Sequence, residues 1–165
     1  VAAGDAVVGK PGEVKKLTVV LASDADHDGV ADEYVDALAF LMWKNGKSTY
    51  EAAADWDGDG VNNYNEYVAG TNPFDKTDKF SVRQMATDAG YENYFKFTFL
   101  ANQGRSYSVN TTTDLEKKDS WQKTGFKDAQ GVDQTHIRTG ATETGYRTIY
   151  VLKEGVKRFW KLNVE

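Results

Sequence analysis

The twelve residues Asp55–Glu66, DWDGDGVNNYNE, constrain this chain more than any other stretch. Carboxylates stand at loop positions one, three and five (Asp55, Asp57, Asp59), glycine at six (Gly60), an amide at nine (Asn63) and a glutamate at twelve (Glu66). Alternate residues of a tight turn point their oxygens inward, and a hard cation such as calcium takes about six to eight of them. Gly60 permits a turn that a side chain would strain. Position seven, Val61, offers its backbone carbonyl, so its side chain is free to face a core. Glu66 opens a following helix, from which it reaches back with both oxygens.

A second acidic stretch repeats the beginning of this pattern. Asp24, Asp26 and Asp28 fill positions one, three and five, Gly29 fills six, Val30 seven and Asp32 nine. Position twelve is Val35, which has no oxygen to offer, and Asp36 follows it. Asp32 directly, Asp36 by a shifted turn, or water is expected to complete this shell. His27, at position four, is expected to point outward. The expected cofactor is calcium, two ions in all. The metal set is Asp24, Asp26, Asp28, Val30, Asp32 and Asp36 in the first loop and Asp55, Asp57, Asp59, Val61, Asn63 and Glu66 in the second.

Charge supports the same assignment. Residues 24–66 hold eleven acids against Lys44 and Lys47, a segment charge of −9 in a chain of net −5. Two calcium ions would bring the total to −1, so metal accounts for the acid block better than a nucleic-acid or membrane partner does. The remaining +4 is scattered and forms no basic patch. No apolar run approaches the roughly 18 residues of a membrane span, so no membrane insertion is expected. The chain has no cysteine, and disulfides therefore play no part. It opens at Val1 without a charged start and apolar stretch, and is expected to be a piece of a longer protein.

Periodicity divides the chain into three. Residues 1–22 read as a Gly-containing linker or edge ending in Pro11-Gly12, then a strand over 14–22 whose partner is not readable. Residues 23–75 read as a helical unit. Tyr34, Leu38, Leu41 and Met42 recur at helical spacing over 31–44, with Val35, Phe40 and Trp43 widening the stripe; Phe40 and Trp43 are expected in the core. Asn45-Gly46 stops that helix. Ser48 with Glu51 suggests a capping box and a short helix over 49–54. A last helix runs over about 62–69, with Val61, Tyr64 and Val68 inward and Gly70 as a left-handed cap. Residues 76–165 alternate with period two, in Phe95, Phe97 and Phe99, in Tyr107 and Val109, in Ile149 and Val151, and in Trp160, Leu162 and Val164. About six or seven short strands are expected there. The fold class is α+β, a small two-loop helical unit packed on an antiparallel β-sandwich.

The D-x-D-x-D-G spacing, and above all DGDGVNNYNEYVAGTNP (residues 57–73), resembles the paired EF-hand-like calcium loops of large secreted bacterial proteins, relatives of dockerins and thrombospondin type 3 repeats. The tail, with GRSYSVNTTTDL (104–115), Trp121 and RFWKLNV (158–164), resembles the fibronectin- or immunoglobulin-like sandwiches that often follow such loops. The resemblance spans about residues 22–165. It implies a non-catalytic, calcium-stabilised accessory module of an extracellular or cell-surface multidomain protein. The alternative is a binding module. It would be dockerin-like, offering its loops to a cohesin-like protein, or would hold a glycan on exposed aromatics among Trp56, Trp121, Phe126, Tyr146 and Tyr150. The first helix is long and apolar and the second short, which departs from the matched helices of dockerins. An enzyme is not expected. His27 and His136 are the only imidazoles, no nucleophile, zinc or phosphate-loop pattern stands out, and most acids that could form a glycosidase pair are assigned to metal.

Overall fold

The computed structural model describes the backbone of residues 3–7 and 16–20 and the whole of residues 22–153 and 158–164. The chain is α+β, with two α-helices and, past residue 80, nine antiparallel strands in two sheets among the described residues. It divides into two compact units. One comprises Val1–Ala54 with Asn62–Tyr64, the other Asp55–Val61 with Asn65–Glu165.

In the first unit, strand β1 (Ala3–Val7) pairs antiparallel with β2 (Lys16–Val20), Ala3 opposite Val20 and Val7 opposite Lys16. The strand expected over 14–22 thus finds its partner in the segment read as a linker or edge. Residues 14, 15 and 21 lie outside the described residues. Helix α1 spans Asp32–Lys44, with Asp32 and Glu33 in its first turn and Lys44 in its last, signs that suit the helix dipole. It stops at Asn45, and Gly46 follows with φ +69°.

Two expectations for this unit are overturned. Leu38 and Met42 are buried, whereas Phe40 and Trp43 are 67% and 74% exposed. At 3.6 residues per turn Phe40 lies about 200° round the helix from Leu38, so one stripe cannot bury both. The two exposed rings lie 6.0 Å apart. The short helix over 49–54 is also absent. Its carbonyls are taken by the start of the next helix: Asn63 N–H donates to Ala54 O (2.8 Å), Tyr64 N–H to Ala52 O (2.9 Å) and Asn63 Nδ2 to Glu51 O (2.7 Å). A carbonyl paired across the chain is withdrawn from an i→i+4 ladder, and a single turn remains, Ala54 N–H to Glu51 O.

The second unit holds both sheets. Sheet one runs in the order β3 (Val82–Ala86), β4 (Tyr94–Ala101), β10 (Gly145–Leu152), β7 (Phe126–Asp128), β8 (Asp133–Gln134). Sheet two runs β11 (Phe159–Val164), β5 (Ser106–Thr112), β6 (Gln122–Thr124), with β9 (Ile137–Arg138) also on β5. The strand count exceeds the expected six or seven because β6 to β9 are only two or three residues long. Alternation places Phe97 and Phe99 of β4, Ile149 and Val151 of β10, Phe126 of β7, and Tyr107 and Val109 of β5 in one buried cluster. Both sheets therefore contribute to a single core.

Trp160, Leu162 and Val164 pack against that core from β11, while Lys161 is exposed. The indole meets Phe95 and Phe97 edge-on, at 5.4 and 6.4 Å between centroids. Because Trp160 is only partly buried, Trp160→Ala is expected to cost roughly 3 kcal/mol, the lower end of the range for a core aromatic. Urea unfolding checks this. A midpoint matching the parent's would place the ring outside the core.

Candidate metal centres

Both acidic loops are built the same way. Positions four and six take left-handed backbone in each: His27 (φ 60°) and Gly29 (φ 86°) in the first, Gly58 (φ 76°) and Gly60 (φ 92°) in the second. The N–H at position nine returns to the carbonyl just before position one, as Asp32 N–H to Ser23 O (2.7 Å) and Asn63 N–H to Ala54 O (2.8 Å). The position-one carboxylate accepts the glycine N–H at position six, as Gly29 N–H to Asp24 (3.2 Å) and Gly60 N–H to Asp55 (2.9 Å). The position-five carboxylate accepts the N–H at seven, as Val30 N–H to Asp28 (2.8 Å) and Val61 N–H to Asp59 (2.7 Å). Glycine supplies the positive φ freely at Gly29, Gly58 and Gly60. His27 adopts it as the one described non-glycine residue to do so, and its Nδ1 bonds back to Asp24 O (2.8 Å).

Carboxylate oxygens of Asp24, Asp26 and Asp28 lie within 4.8 Å of one another, as do those of Asp55, Asp57 and Asp59. Those groups include neither Asp32, Asp36 nor Glu66. Asp32 is committed elsewhere: one oxygen accepts Ser23 Oγ and the other Ala25 N–H (3.2 Å). These bonds, Ser23's foremost, hold its carboxyl below the usual range. Asp36 is exposed on α1. Asn63 is fully buried, but its side-chain Nδ2 donates to Glu51 O and its backbone carbonyl accepts the Tyr50 hydroxyl (2.9 Å), all within the first unit.

The second loop carries the stronger electrostatic signature. Glu66 has no exposed surface, Thr71 Oγ1 donates to its Oε1 (3.3 Å), and its Oε2 has no hydrogen-bond partner. Burial, then the Asp57 and Asp59 charges, push its carboxyl up to about 7. Burial raises Asp57 as well. Asp55 is lowered, first by the N–H of Gly60. Asp57 Oδ2 and Asp59 Oδ2 also lack hydrogen bonds, as does Asp24 Oδ1 in the first loop. A buried carboxylate oxygen without a donor is costly, and a cation among these acids removes that cost. The donor set is oxygen throughout, which suits a hard cation.

Protein-family models, curated proteins and solved structures were compared with this chain, and none matches.

Two residues near the second loop carry no sequence signal of their own. Thr71, from the turn after helix α2 (Asn63–Ala69), holds Glu66. Lys79 donates from Nζ to Asp59 O (3.1 Å) and stands 3.8 Å from Asp59 Oδ2. Of the inward face expected for α2, Val61 and Val68 are half-buried, while Tyr64 is 38% exposed. The aromatics considered as glycan platforms are mostly enclosed. Phe126 and Tyr150 are buried, Trp56 stacks on Phe74 (4.9 Å, 23°), and Tyr91 stacks on Tyr150 (4.1 Å). Tyr146 remains 67% exposed. No helix among the described residues is long and apolar enough to cross a membrane.

Proposed function

We propose that this chain is a non-catalytic calcium-stabilised module of a secreted or cell-surface protein, with one ion in each loop and the second loop binding more tightly. The observation that carries the reading is Glu66. It is a fully buried carboxylate with an unpartnered oxygen, held up in pKa first by its burial and then by the Asp57 and Asp59 charges. Asp55, Asp57, Asp59, Glu66 and the Val61 carbonyl would hold the second ion. Asp24, Asp26, Asp28 and the Val30 carbonyl would hold the first, which lacks a position-twelve carboxylate because Val35 stands there. Bound calcium would supply positive charge to acids that otherwise repel one another.

The consequence in the second unit is mechanical. Helix α2 leads directly from the loop, and Glu66 lies in it. Its end is fastened to the β4–β5 turn by Asn102 Nδ2, which donates to Ala69 O and Gly70 O (3.0 Å each), and by Arg105, which donates to Tyr67 O (2.6 Å). Ordering the loop therefore steadies the sheets through α2. We read the two sheets as the layers of an immunoglobulin- or fibronectin-like sandwich. The shared core supports this. So does Tyr107, whose buried hydroxyl accepts the Asn102 N–H (2.7 Å) five residues upstream, like the tyrosine corner of such sandwiches.

Calorimetric titration of chelator-treated protein tests the proposal. Extracellular modules bind at ~10⁻⁴–10⁻³ M. The tighter event should disappear in Asp55→Ala and survive in Asp24→Ala. The reverse order, or no heat at millimolar calcium, would refute the ranking or the site.

A further inference from the structure

The acidic loop at Asp55 contains no positive charge of its own, yet a lysine from twenty residues downstream stands over it. Lys79 Nζ donates to the Asp59 backbone carbonyl at 3.1 Å and lies 3.8 Å from Asp59 Oδ2. That oxygen has no hydrogen bond, and the Asp59 side chain is only 1% exposed. Glu66, fully buried with its Oε2 unpartnered, lies outside the cluster of Asp55, Asp57 and Asp59 but within reach of the Asp57 and Asp59 charges, and it points independently to a cation there. The Lys79 side chain is 45% exposed, so its charge is partly solvated while its ammonium stands beside the acids. A cation in this place has opposite effects in the two states of the loop. Without metal it offsets mutual repulsion among Asp55, Asp57, Asp59 and Glu66. With a divalent ion among those oxygens it would be a like charge beside the ion.

We propose that Lys79 is a tethered counter-cation that sets the calcium affinity of the second loop, steadying the metal-free loop and competing electrostatically with the ion. This rests on the reading of the loop as a calcium site. Its ammonium lowers affinity by Coulomb repulsion toward the divalent ion and by stabilising the state that the ion must replace. A like charge at such a distance, partly screened by solvent, is worth about threefold to tenfold in affinity at low ionic strength. Position thus makes a surface lysine a determinant of how much calcium the module needs before it responds.

The experiment is calcium titration of the full chain, by calorimetry and by melting, in wild type, Lys79→Met and Lys79→Arg, at low and at high potassium chloride. Lys79→Met keeps most of the stem and removes the charge. It should bind calcium about threefold to tenfold more tightly at low salt, and melt lower than wild type in chelator. Lys79→Arg should stay near wild type in both respects. The gap between wild type and Lys79→Met should shrink as salt rises, because screening removes a charge effect and leaves a packing effect intact. If Lys79→Met binds calcium equally or more weakly, or the gap ignores salt, the lysine merely positions the Asp59 carbonyl and the inference is wrong. If wild type binds no calcium under any condition, the calcium reading itself fails, a result distinct from a lysine that makes no difference.

Discussion

Glu66→Gln should remove the calcium response of the second loop and, in chelator at pH 8, leave a protein that melts no lower than wild type. Even at the dielectric of water, losing a carboxylate charge about 2.5 Å from a divalent ion forfeits roughly 3 kcal/mol, on the order of 100-fold in affinity. A site of ~10⁻⁴ M at ~1 mM calcium contributes about 1.4 kcal/mol of stability by linkage, and the variant should lose most of that. The metal-free arm follows from the pKa. Burial and neighbouring acids raise the folded Glu66 carboxyl from its ordinary 4.5 to about 7. A raised carboxyl contributes stability below its unfolded pKa, and that contribution is lost as pH rises through the folded value. Chelated wild type should therefore weaken between about pH 4.5 and 7. Glu66→Gln should lack that limb, because a neutral amide has no charge to bury. Over the same interval the melting shift produced by calcium should grow in wild type. Melting in chelator and in calcium at pH 5 and pH 8 reads all of this. A chelated wild type that gains stability from pH 5 to 7 would show that Glu66 is ionised at little cost.

Phe99→Ala should destabilise the sheet unit by about 4 kcal/mol, the largest effect expected of any single side chain named here. Phe99 is fully buried in β4 and touches Phe80 edge-on (6.0 Å) and Tyr107 (5.1 Å). It stands where the two sheets contribute to the same core, so its removal leaves a void lined from both sides. At about 4–8 °C per kcal/mol for a unit of this size, the melting temperature should fall by roughly 20 °C. The informative control is Phe40→Ala on α1. Both residues read as core from local pattern, yet Phe40 is 67% exposed, and its truncation should change stability by no more than about 0.5 kcal/mol. Equal losses in the two variants would contradict the observed burial.

These contrasts separate what is local in this protein from what is not. The acid-and-glycine spacing of both loops, the stop at Asn45-Gly46, the left-handed Gly70 and the alternation of β4, β5, β10 and β11 are written in short windows. Backbone sterics and the periods of helix and strand act over a few residues. An α+β chain with oxygen-rich loops was therefore legible before any fold was known. Periodicity identifies a face but says nothing of what covers it. Phe40 and Trp43 widened an apolar stripe that α1 buries only at Leu38 and Met42. The segment over 49–54 had helical signals, but Asn63 and Tyr64 took its carbonyls. Those hydrogen bonds join residues about a dozen apart, beyond the reach of capping rules. The leading strand found its partner in a segment that read only as a linker or edge. At the second loop, Asp55, Asp57, Asp59 and Glu66 were evident from spacing. The complete burial of Glu66, the Thr71 bond and the Lys79 ammonium were decided by tertiary structure, because desolvation and charge pairing depend on which distant segments come to lie against a carboxylate.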